Sequence, residues 1–189
     1  MTRKLARNTM DIVSYYIHKH VKHGDICLDA TLGNGNDICM IAKLVGNRGL
    51  VYGFDIQDIA IENTKKLLMS ENLINRVKII NDSHEYIHKY IESKLDFIIY
   101  NLGYLPKGDK SIITNSKTTV KSIKESLNLM ETSSLMLITT YIGHPGGEEE
   151  DYAVNELLSS LDQKSYNVLK NHFINQINKP PKLYVVEKL

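Results

Sequence analysis

The stretch "CLDATLGNGND", residues 27–37, decides the fold, because a short apolar run there ends in an acidic residue and a turn with two glycines. The run before the turn suits a buried strand, and "NDICMIAKLV" (36–45) repeats apolar residues at helical spacing. A glycine turn between a strand and a helix lets backbone N–H groups approach a ligand, and the helix N-terminus favours negative charge. The stretch therefore predicts a nucleotide-like cofactor.

Short apolar runs and helical patterns alternate along the rest of the chain. The patterns predict strands over 25–30, 49–55, 76–81, 95–101 and 133–142, and helices over 36–45, 58–72, 83–92, 116–130 and about 148–161. Two further strand-like runs, 166–176 and 182–189, are joined through "INKPP". We therefore expect an α/β fold with a doubly wound, Rossmann-like sheet of seven strands, mostly parallel with a C-terminal antiparallel hairpin.

Composition limits the class of protein. The 189 residues include 42% apolar residues but no apolar run long enough to cross a bilayer, and the first 20 residues lack a signal-peptide pattern. The two cysteines, Cys27 and Cys39, lie in apolar segments without metal-ligand spacing. We expect one cytoplasmic domain over residues 1–189, with 1–23 as a helical extension, and no disulfide, metal site or membrane contact. The oligomeric state stays open, a homodimer included.

Acidic residues at two further strand ends favour a nucleoside-containing ligand. Asp55 ends the second strand, where a carboxylate can accept hydrogen bonds from both ribose hydroxyls, and Asp82 with Ser83 ends the third, where an adenine amino group could be recognised. A dinucleotide dehydrogenase would need G-x-G-x-x-G, but Ile38 occupies the position of the third glycine. This departure argues against a nicotinamide cofactor.

The order of these motifs resembles class I S-adenosylmethionine-dependent methyltransferases. Asp29 and the loop 31–35 match the first motif of that class, Asp55 the second, and Asp82 with Ser83 the third, although Thr31 replaces a glycine. The resemblance implies S-adenosylmethionine as the cofactor. The residues predicted to bind it are Asp29, Thr31, Gly33, Asn34, Gly35, Asn36, Asp37, Asp55, Gln57, Asp82, Ser83 and His84.

The fourth strand ends in "NLGYLP" (101–106), which resembles the N-P-P-Y motif of methyltransferases acting on amines. Asn101 and Tyr104 match, while Leu102 and Gly103 replace the two prolines. An amine nucleophile needs its hydrogens held, which the side-chain oxygen of Asn101 and the carbonyl of Leu102 could do. Tyr104 could stack on a planar target base. A strand end with a capping asparagine is the alternative interpretation.

The segment "YIGHPGGEEED" (141–151) follows the fifth strand, so it should line the same edge of the sheet. His144 lies among glycines and a proline there. An imidazole near neutral pH can take a proton from an ammonium substrate, which makes His144 a candidate catalytic base. An exposed loop histidine without a role is the alternative.

Basic residues cluster in two places, although the net charge is only +1. One cluster is the segment Arg3–Arg7, and the other runs from Lys107 to Lys124. Such clustering is compatible with a polyanionic partner, whereas a solvated face is the alternative.

Taken together, the motifs indicate one family within this superfamily of methyltransferases. "DATLGNGND", "GFDIQ", "YNLGYLPKGDK" and "GHPGGEEE", in that order, look like the small YtqB-type proteins of Gram-positive bacteria, the YtqB/MnmM family, long described as rRNA methylases. The family implies methylation of the amine of 5-aminomethyl-2-thiouridine at the wobble position of tRNA. It implies cofactor contacts for Asp29, Gly33, Gly35 and Asp55, and amine contacts for Asn101 and Tyr104.

The resemblance also predicts a partner and leaves two alternatives open. The partner is the tRNA anticodon loop, with Arg3–Arg7 and Lys107–Lys124 holding its phosphates. A methyltransferase acting on rRNA or on a protein amine would share every motif. A non-catalytic protein that only binds S-adenosylmethionine would keep Asp55 but would not need Asn101.

Overall fold

The computed structural model describes residues 6–103, 105 and 113–189. Within these ranges the strands are β1 (Ile26–Asp29), β2 (Leu50–Asp55), β3 (Val77–Asn81), β4 (Leu95–Asn101), β5 (Met130–Thr140), β6 (Tyr166–Asn171) and β7 (Lys182–Lys188). They form one seven-stranded sheet in the order β3-β2-β1-β4-β5-β7-β6. Strands β1 to β5 are parallel, whereas β7 runs antiparallel to both β5 and β6. The predicted C-terminal hairpin is confirmed.

Helices cover both faces of the sheet. They are α1 (Thr9–His20), α2 (Asn36–Val45), α3 (Asp58–Ser70), α4 (Ser116–Leu129) and α5 (Gly147–Ser159), with 3-10 segments at Gly46–Arg48, Ile74–Arg76 and His84–Lys89. Helices α1 to α3 pack residues such as Val13, Ile41 and Leu68 on one face. Helices α4 and α5 pack Ile123 and Val154 on the other. The predicted doubly wound α/β fold is confirmed.

The strand order reverses between β1 and β4. In open α/β sheets, ligands bind at such a switch point, outside the carboxyl ends of the strands. The residues at the ends of β1, β2, β4 and β5 are therefore the candidates for a functional site. Helix α1 lies within the predicted extension 1–23. It contacts this edge of the sheet, where the Tyr141 hydroxyl donates to Met10 Sδ at 3.5 Å.

Three local predictions are wrong. The strand predicted over 166–176 ends at Asn171. The helix predicted over 83–92 is only a 3-10 segment, in which Tyr86 has non-helical angles. An isolated helix of this length is marginal, and the Tyr90 hydroxyl instead closes a turn by donating to Asp82 at 2.7 Å. Strand β5 begins at Met130, before the predicted 133, because α4 runs directly into it. A register shift follows, with Ser133 at φ +70°.

No helix of the described residues is long and apolar enough to span a membrane.

Candidate active site

The glycine turn after β1 needs a bare backbone at Gly35. This residue has φ +80°, and a Cβ there would lie 2.6 Å from the Thr64 hydroxyl oxygen of α3. The same hydroxyl donates to the Gly33 carbonyl oxygen at 3.2 Å, and Gly33 has φ +52°. Left-handed backbone of this kind favours glycine. The turn is therefore pressed against α3, with its backbone presented to the crevice.

A third glycine, Gly53 in β2, makes room for side-chain packing. In the dinucleotide motif, the glycine with this role lies at the position that Ile38 of α2 occupies here. A Cβ on Gly53 would lie 2.5 Å from the Cδ1 atoms of both Leu32 and Ile38. This explains how Ile38 can occupy the position where a dinucleotide fingerprint has glycine, because the strand makes the room that the helix does not. The sequence patterns did not single out Gly53.

Asp55 lies at the end of β2 as predicted, and backbone groups fix its orientation. Its Oδ2 accepts from the Gly33 N–H and its Oδ1 from the Gln57 N–H, both at 2.9 Å. Burial raises the pKa of this carboxyl, and the two N–H bonds oppose the shift. Each carboxylate oxygen has a further lone pair. Asp55 can therefore hold the glycine turn and still accept from a ligand hydroxyl.

Two further carboxylates converge on the turn. Asp29 is buried and accepts from the Thr31 N–H at 3.1 Å. Burial, and next the charge of Asp37, raises the pKa of Asp29 well above its usual range, and Asp55 adds to the shift. Burial also raises the pKa of Asp37. Asp37 and Asp55 thus give the crevice negative charge that acts on Asp29, and a positively charged ligand group there would offset this repulsion.

The remaining predicted cofactor residues lie around this cluster. Asn34 is exposed on the turn, Asn36 is exposed at the start of α2, and Gln57 is buried before α3. At the end of β3, Asp82 accepts from Tyr90 and from the Ser83 N–H, both at 2.7 Å, and these bonds lower the pKa of Asp82. Half-buried Asp82 and Ser83 can therefore face a ligand.

His84 differs from its neighbours because it is buried. Its Nδ1 lies 3.2 Å from the Ala30 carbonyl oxygen, and burial lowers the pKa of the ring. The ring thus supports the backbone that enters the glycine turn. His84 would therefore act on the cofactor indirectly, by supporting this backbone, and not through the direct contact that was predicted.

The end of β4 brings the candidate acceptor group next to the glycine turn. The Asn101 N–H donates to Thr31 Oγ1 at 2.6 Å, and Asn101 Nδ2 donates to Asp37 Oδ2 at 2.5 Å. Asn101 Oδ1 is buried and has no hydrogen-bond partner among the described residues. A buried acceptor without a donor costs about 1–3 kcal/mol, so this oxygen is placed for a ligand N–H. Tyr104, the other predicted amine-site residue, lies outside the described residues.

His144 lies beside the same strand end. A Cβ built on Gly103 would be 3.5 Å from His144 Nε2 and 3.8 Å from the Tyr141 Cβ and Cδ2 atoms. His144 Nδ1 lies 2.9 Å from the Pro145 carbonyl oxygen. Because a carbonyl can only accept, Nδ1 carries the proton of the neutral ring and Nε2 carries the lone pair. The candidate base therefore presents its acceptor nitrogen toward Gly103.

Sequence reasoning placed residues 141–151 at this edge but gave Tyr141 no role, and it assigned Thr31 and Asp37 only part of theirs. Tyr141 lines the strand end, and burial, followed by the charge of Asp37, raises the pKa of its hydroxyl. The Thr31 hydroxyl and the Asp37 carboxylate hold Asn101, although both residues were predicted only as cofactor contacts. Both residues lie in the stretch 27–37 that stands out in the sequence, but their partner lies 64 to 70 residues away.

Comparison with known proteins identifies the family. A family model described as "Putative rRNA methylase" matches residues 51–187. The chain belongs to this family. A crystal structure of a protein described in the same words, from Clostridium thermocellum, is 44% identical, with full coverage of both chains and a TM-score of 0.95. The match confirms the resemblance to the YtqB-type proteins.

Two other relatives have more specific descriptions. A "putative methyltransferase from streptococcus mutans in complex with SAH" is 33% identical, covering 98% of this chain and all of that one, with a TM-score of 0.88. The chloroplastic tRNA (mnm(5)s(2)U34)-methyltransferase of Arabidopsis thaliana is 34% identical over 178 residues, which is 89% of this chain. The chain spans 65% of the length of that plant relative.

Proposed function

We propose that the chain is an S-adenosylmethionine-dependent tRNA methyltransferase, which converts 5-aminomethyl-(2-thio)uridine at the wobble position to 5-methylaminomethyl-(2-thio)uridine. The observation that carries the proposal is Asn101 Oδ1, which is buried beside an acidic crevice and has no hydrogen-bond partner among the described residues. An oxygen in this position can accept a hydrogen bond from an amine. Methylation of a carbon or a hydroxyl group would need other groups in the site.

The acidic crevice fits the proposed cofactor. S-adenosylmethionine carries a sulfonium and an ammonium group, which the carboxylates of Asp29, Asp37 and Asp55 complement. Asp55 has lone pairs left for ribose hydroxyls, and the glycine turn allows close approach of the backbone. The Streptococcus mutans relative, described as a complex with SAH, supports this assignment. When bound, the cofactor supplies an electrophilic methyl group.

The name of the plant relative supports the amine of a modified wobble uridine as the target. In the proposed reaction the target base is turned out of the anticodon loop, and Asn101 Oδ1 accepts one hydrogen of its amine. An amide oxygen cannot take up a full proton, so a separate base is required. His144 is the proposed base, because its Nε2 faces the same strand end as Asn101.

Nucleoside mass spectrometry tests this proposal. The purified chain with S-adenosylmethionine should convert tRNA that carries 5-aminomethyl-2-thiouridine to the methylaminomethyl form. It should leave tRNA without the aminomethyl group unchanged, because no neutral amine is then available. Methyl transfer to tRNA lacking the amine, or to ribosomal RNA alone, would contradict the proposal. A folded chain that binds the cofactor but methylates no RNA or protein would instead support a binding module.

The proposed tRNA surface includes helix α4. Lys117, Lys121 and Lys124 line one open groove of this helix. Lys121 is paired with Glu85 at 3.1 Å and lies 4.9 Å above the ring of Tyr86, and Lys89 lies 3.9 Å above the same ring. A basic groove beside an aromatic ring suits phosphates and a stacked base.

The other basic residues support this surface less directly. The guanidinium of Arg7 is paired with Asp11 at 2.9 Å. Arg3, Lys4, Lys107 and Lys110 lie outside the described residues. The predicted phosphate contacts of Arg3–Arg7 and of Lys107 and Lys110 therefore stay predictions.

Changing Lys117, Lys121 and Lys124 together to Glu should weaken tRNA binding and flatten its dependence on salt. Each lost phosphate contact reduces the slope of log K against log[salt] by about 0.7–0.9. Fluorescence titration of labelled tRNA at several salt concentrations measures both quantities. Lys19, Lys65 and Lys66, exposed on α1 and α3 at the other face of the sheet, changed together to Glu, make a control with the same change in charge. Equal losses in the two triple variants would assign the effect to net charge alone.

A further inference from the structure

A chain of hydrogen bonds holds the turn Asn101–Gly103, which we call the acceptor turn. The Gly103 N–H donates to Thr114 Oγ1 at 2.7 Å, and the Thr114 N–H donates back to the Gly103 carbonyl oxygen at 2.9 Å. The Thr114 hydroxyl donates to Glu150 Oε2 at 2.8 Å. Thr114 therefore connects the acceptor turn to a carboxylate on helix α5.

Glu150 is a buried acid whose partners are hydroxyl groups. Its side chain is 2% exposed, and its Oε1 accepts from the Thr119 hydroxyl of α4 at 2.6 Å. Burial raises the pKa of Glu150, and the bonds from Thr119 and Thr114, followed by the charge of His144, oppose the shift. A buried carboxylate is tolerated only when donors satisfy it, so its position is well defined.

The carboxylate gives the Thr114 hydroxyl a direction. A hydroxyl has one proton, and in this structure the proton is used toward Glu150. The lone pairs of Oγ1 are therefore left for the Gly103 N–H. Without the carboxylate, the hydroxyl could rotate and donate elsewhere, and the bond to Gly103 would no longer be favoured.

These bonds replace a restraint that the sequence lacks. The related N-P-P-Y motif has two rigid prolines where this chain has Leu102 and Gly103, and Gly103 has φ +135°. Each backbone N–H of the acceptor turn is bonded instead: Asn101 to the Thr31 hydroxyl, Leu102 to the Thr139 carbonyl, and Gly103 to Thr114. Of the two hydroxyl acceptors, only that of Thr114 is oriented by a buried acid.

We propose that Thr114, oriented by Glu150, is a positioning residue for methyl transfer to the amine. It holds Gly103 so that the oxygens of Asn101 and Leu102 face the amine hydrogens. Neither residue contacts the reacting atoms in this scheme. The inference rests on the proposed function for its kinetic test, but the restraint itself can be measured without a substrate.

A matched pair of variants tests the proposal. Thr114→Val removes the hydroxyl and keeps the shape of the side chain, whereas Thr114→Ser keeps the hydroxyl. Thr114→Val should lower kcat by about tenfold or more while KM for tRNA and the Kd of S-adenosylmethionine change less than about threefold, because misplaced reacting groups affect the transition state. Thr114→Ser should restore kcat to within about threefold of the parent.

Two more variants keep the test decisive. Glu150→Met removes both acceptor oxygens, so it should lower kcat in the same way, and it replaces Thr114→Val if that variant does not fold. Thr132→Val removes a hydroxyl that donates to the Leu189 carbonyl oxygen at 3.3 Å, at the opposite end of the sheet, and should leave kcat unchanged. A folded Thr114→Val or Glu150→Met with the kcat of the parent would overturn the proposal, as would equal losses in Thr114→Val and Thr114→Ser.

Amide hydrogen exchange of Gly103, followed by NMR, separates this inference from the proposed function. The Gly103 N–H should exchange faster in Thr114→Val than in the parent, and Thr114→Ser should restore its protection. Unchanged exchange in Thr114→Val overturns the restraint, whatever the substrate is. If the parent does not methylate aminomethyl tRNA but the exchange behaves as expected, the proposed function fails and the restraint of the acceptor turn stands.

Discussion

Asn101→Ala should lower kcat by about 100-fold or more and leave the Kd of S-adenosylmethionine within about twofold of the parent. The Asn101 side chain offers its buried Oδ1 to the proposed amine, whereas the carboxylate that suits the ribose belongs to Asp55. An interaction that aims the amine is made in full only in the transition state, so its loss falls on kcat. Single-turnover methylation of aminomethyl tRNA and calorimetry with the cofactor measure the two effects.

A second strand-end asparagine provides the control. Asn81 ends β3, and its Nδ2 donates to Asp58 Oδ1 at 2.7 Å, much as Asn101 Nδ2 donates to Asp37. Asn81→Ala should therefore keep the kcat of the parent. If Asn101→Ala lost cofactor affinity and kcat to the same degree, the residue would be acting through Asp37, to which its side chain donates, and its role as the amine acceptor would be wrong.

The parts of the fold that the sequence predicted well are those set by local periodicity. Buried strands such as β2 and β4 appear as short apolar runs, and α2 has apolar residues at helical spacing followed by Gly46. A parallel sheet also brings its carboxyl ends to one edge, so the site could be anticipated from the residues that end each strand. This is why Asp29, Asp55 and Asn101 could be placed at this edge of the sheet without a structure.

The contacts that hold the site could not be predicted in the same way. Thr114 and Glu150 are 36 residues apart, and neither lies in a pattern that marks it as polar and buried. The sequence "GHPGGEEE" contains three glutamates, and only packing of α5 against α4 decides that Glu150 is the buried one. Gly53 was missed for the same reason, because its close neighbours Leu32 and Ile38 come from another element.

Asp55→Ala should weaken binding of S-adenosylmethionine by about 1.5–3 kcal/mol, the range for hydrogen bonds to a charged group, or about 10- to 150-fold in Kd. Two effects add in the same direction. The ribose hydroxyls lose their proposed acceptor, and the Gly33 N–H loses the oxygen that fixes the glycine turn. Isothermal calorimetry of the folded variant measures the change.

The sheet offers a matched control for this prediction at its opposite end. Asp96 Oδ2 accepts from the Ile26 N–H at 2.8 Å, so Asp96→Ala also removes a carboxylate that holds the backbone of a strand, but far from the crevice. This variant should bind the cofactor as the parent does.

Because burial raises the pKa of Asp55, the parent should also lose affinity on acidification at a higher pH than it would with an ordinary aspartate. A folded Asp55→Ala that kept the affinity of the parent would remove Asp55 from the cofactor site.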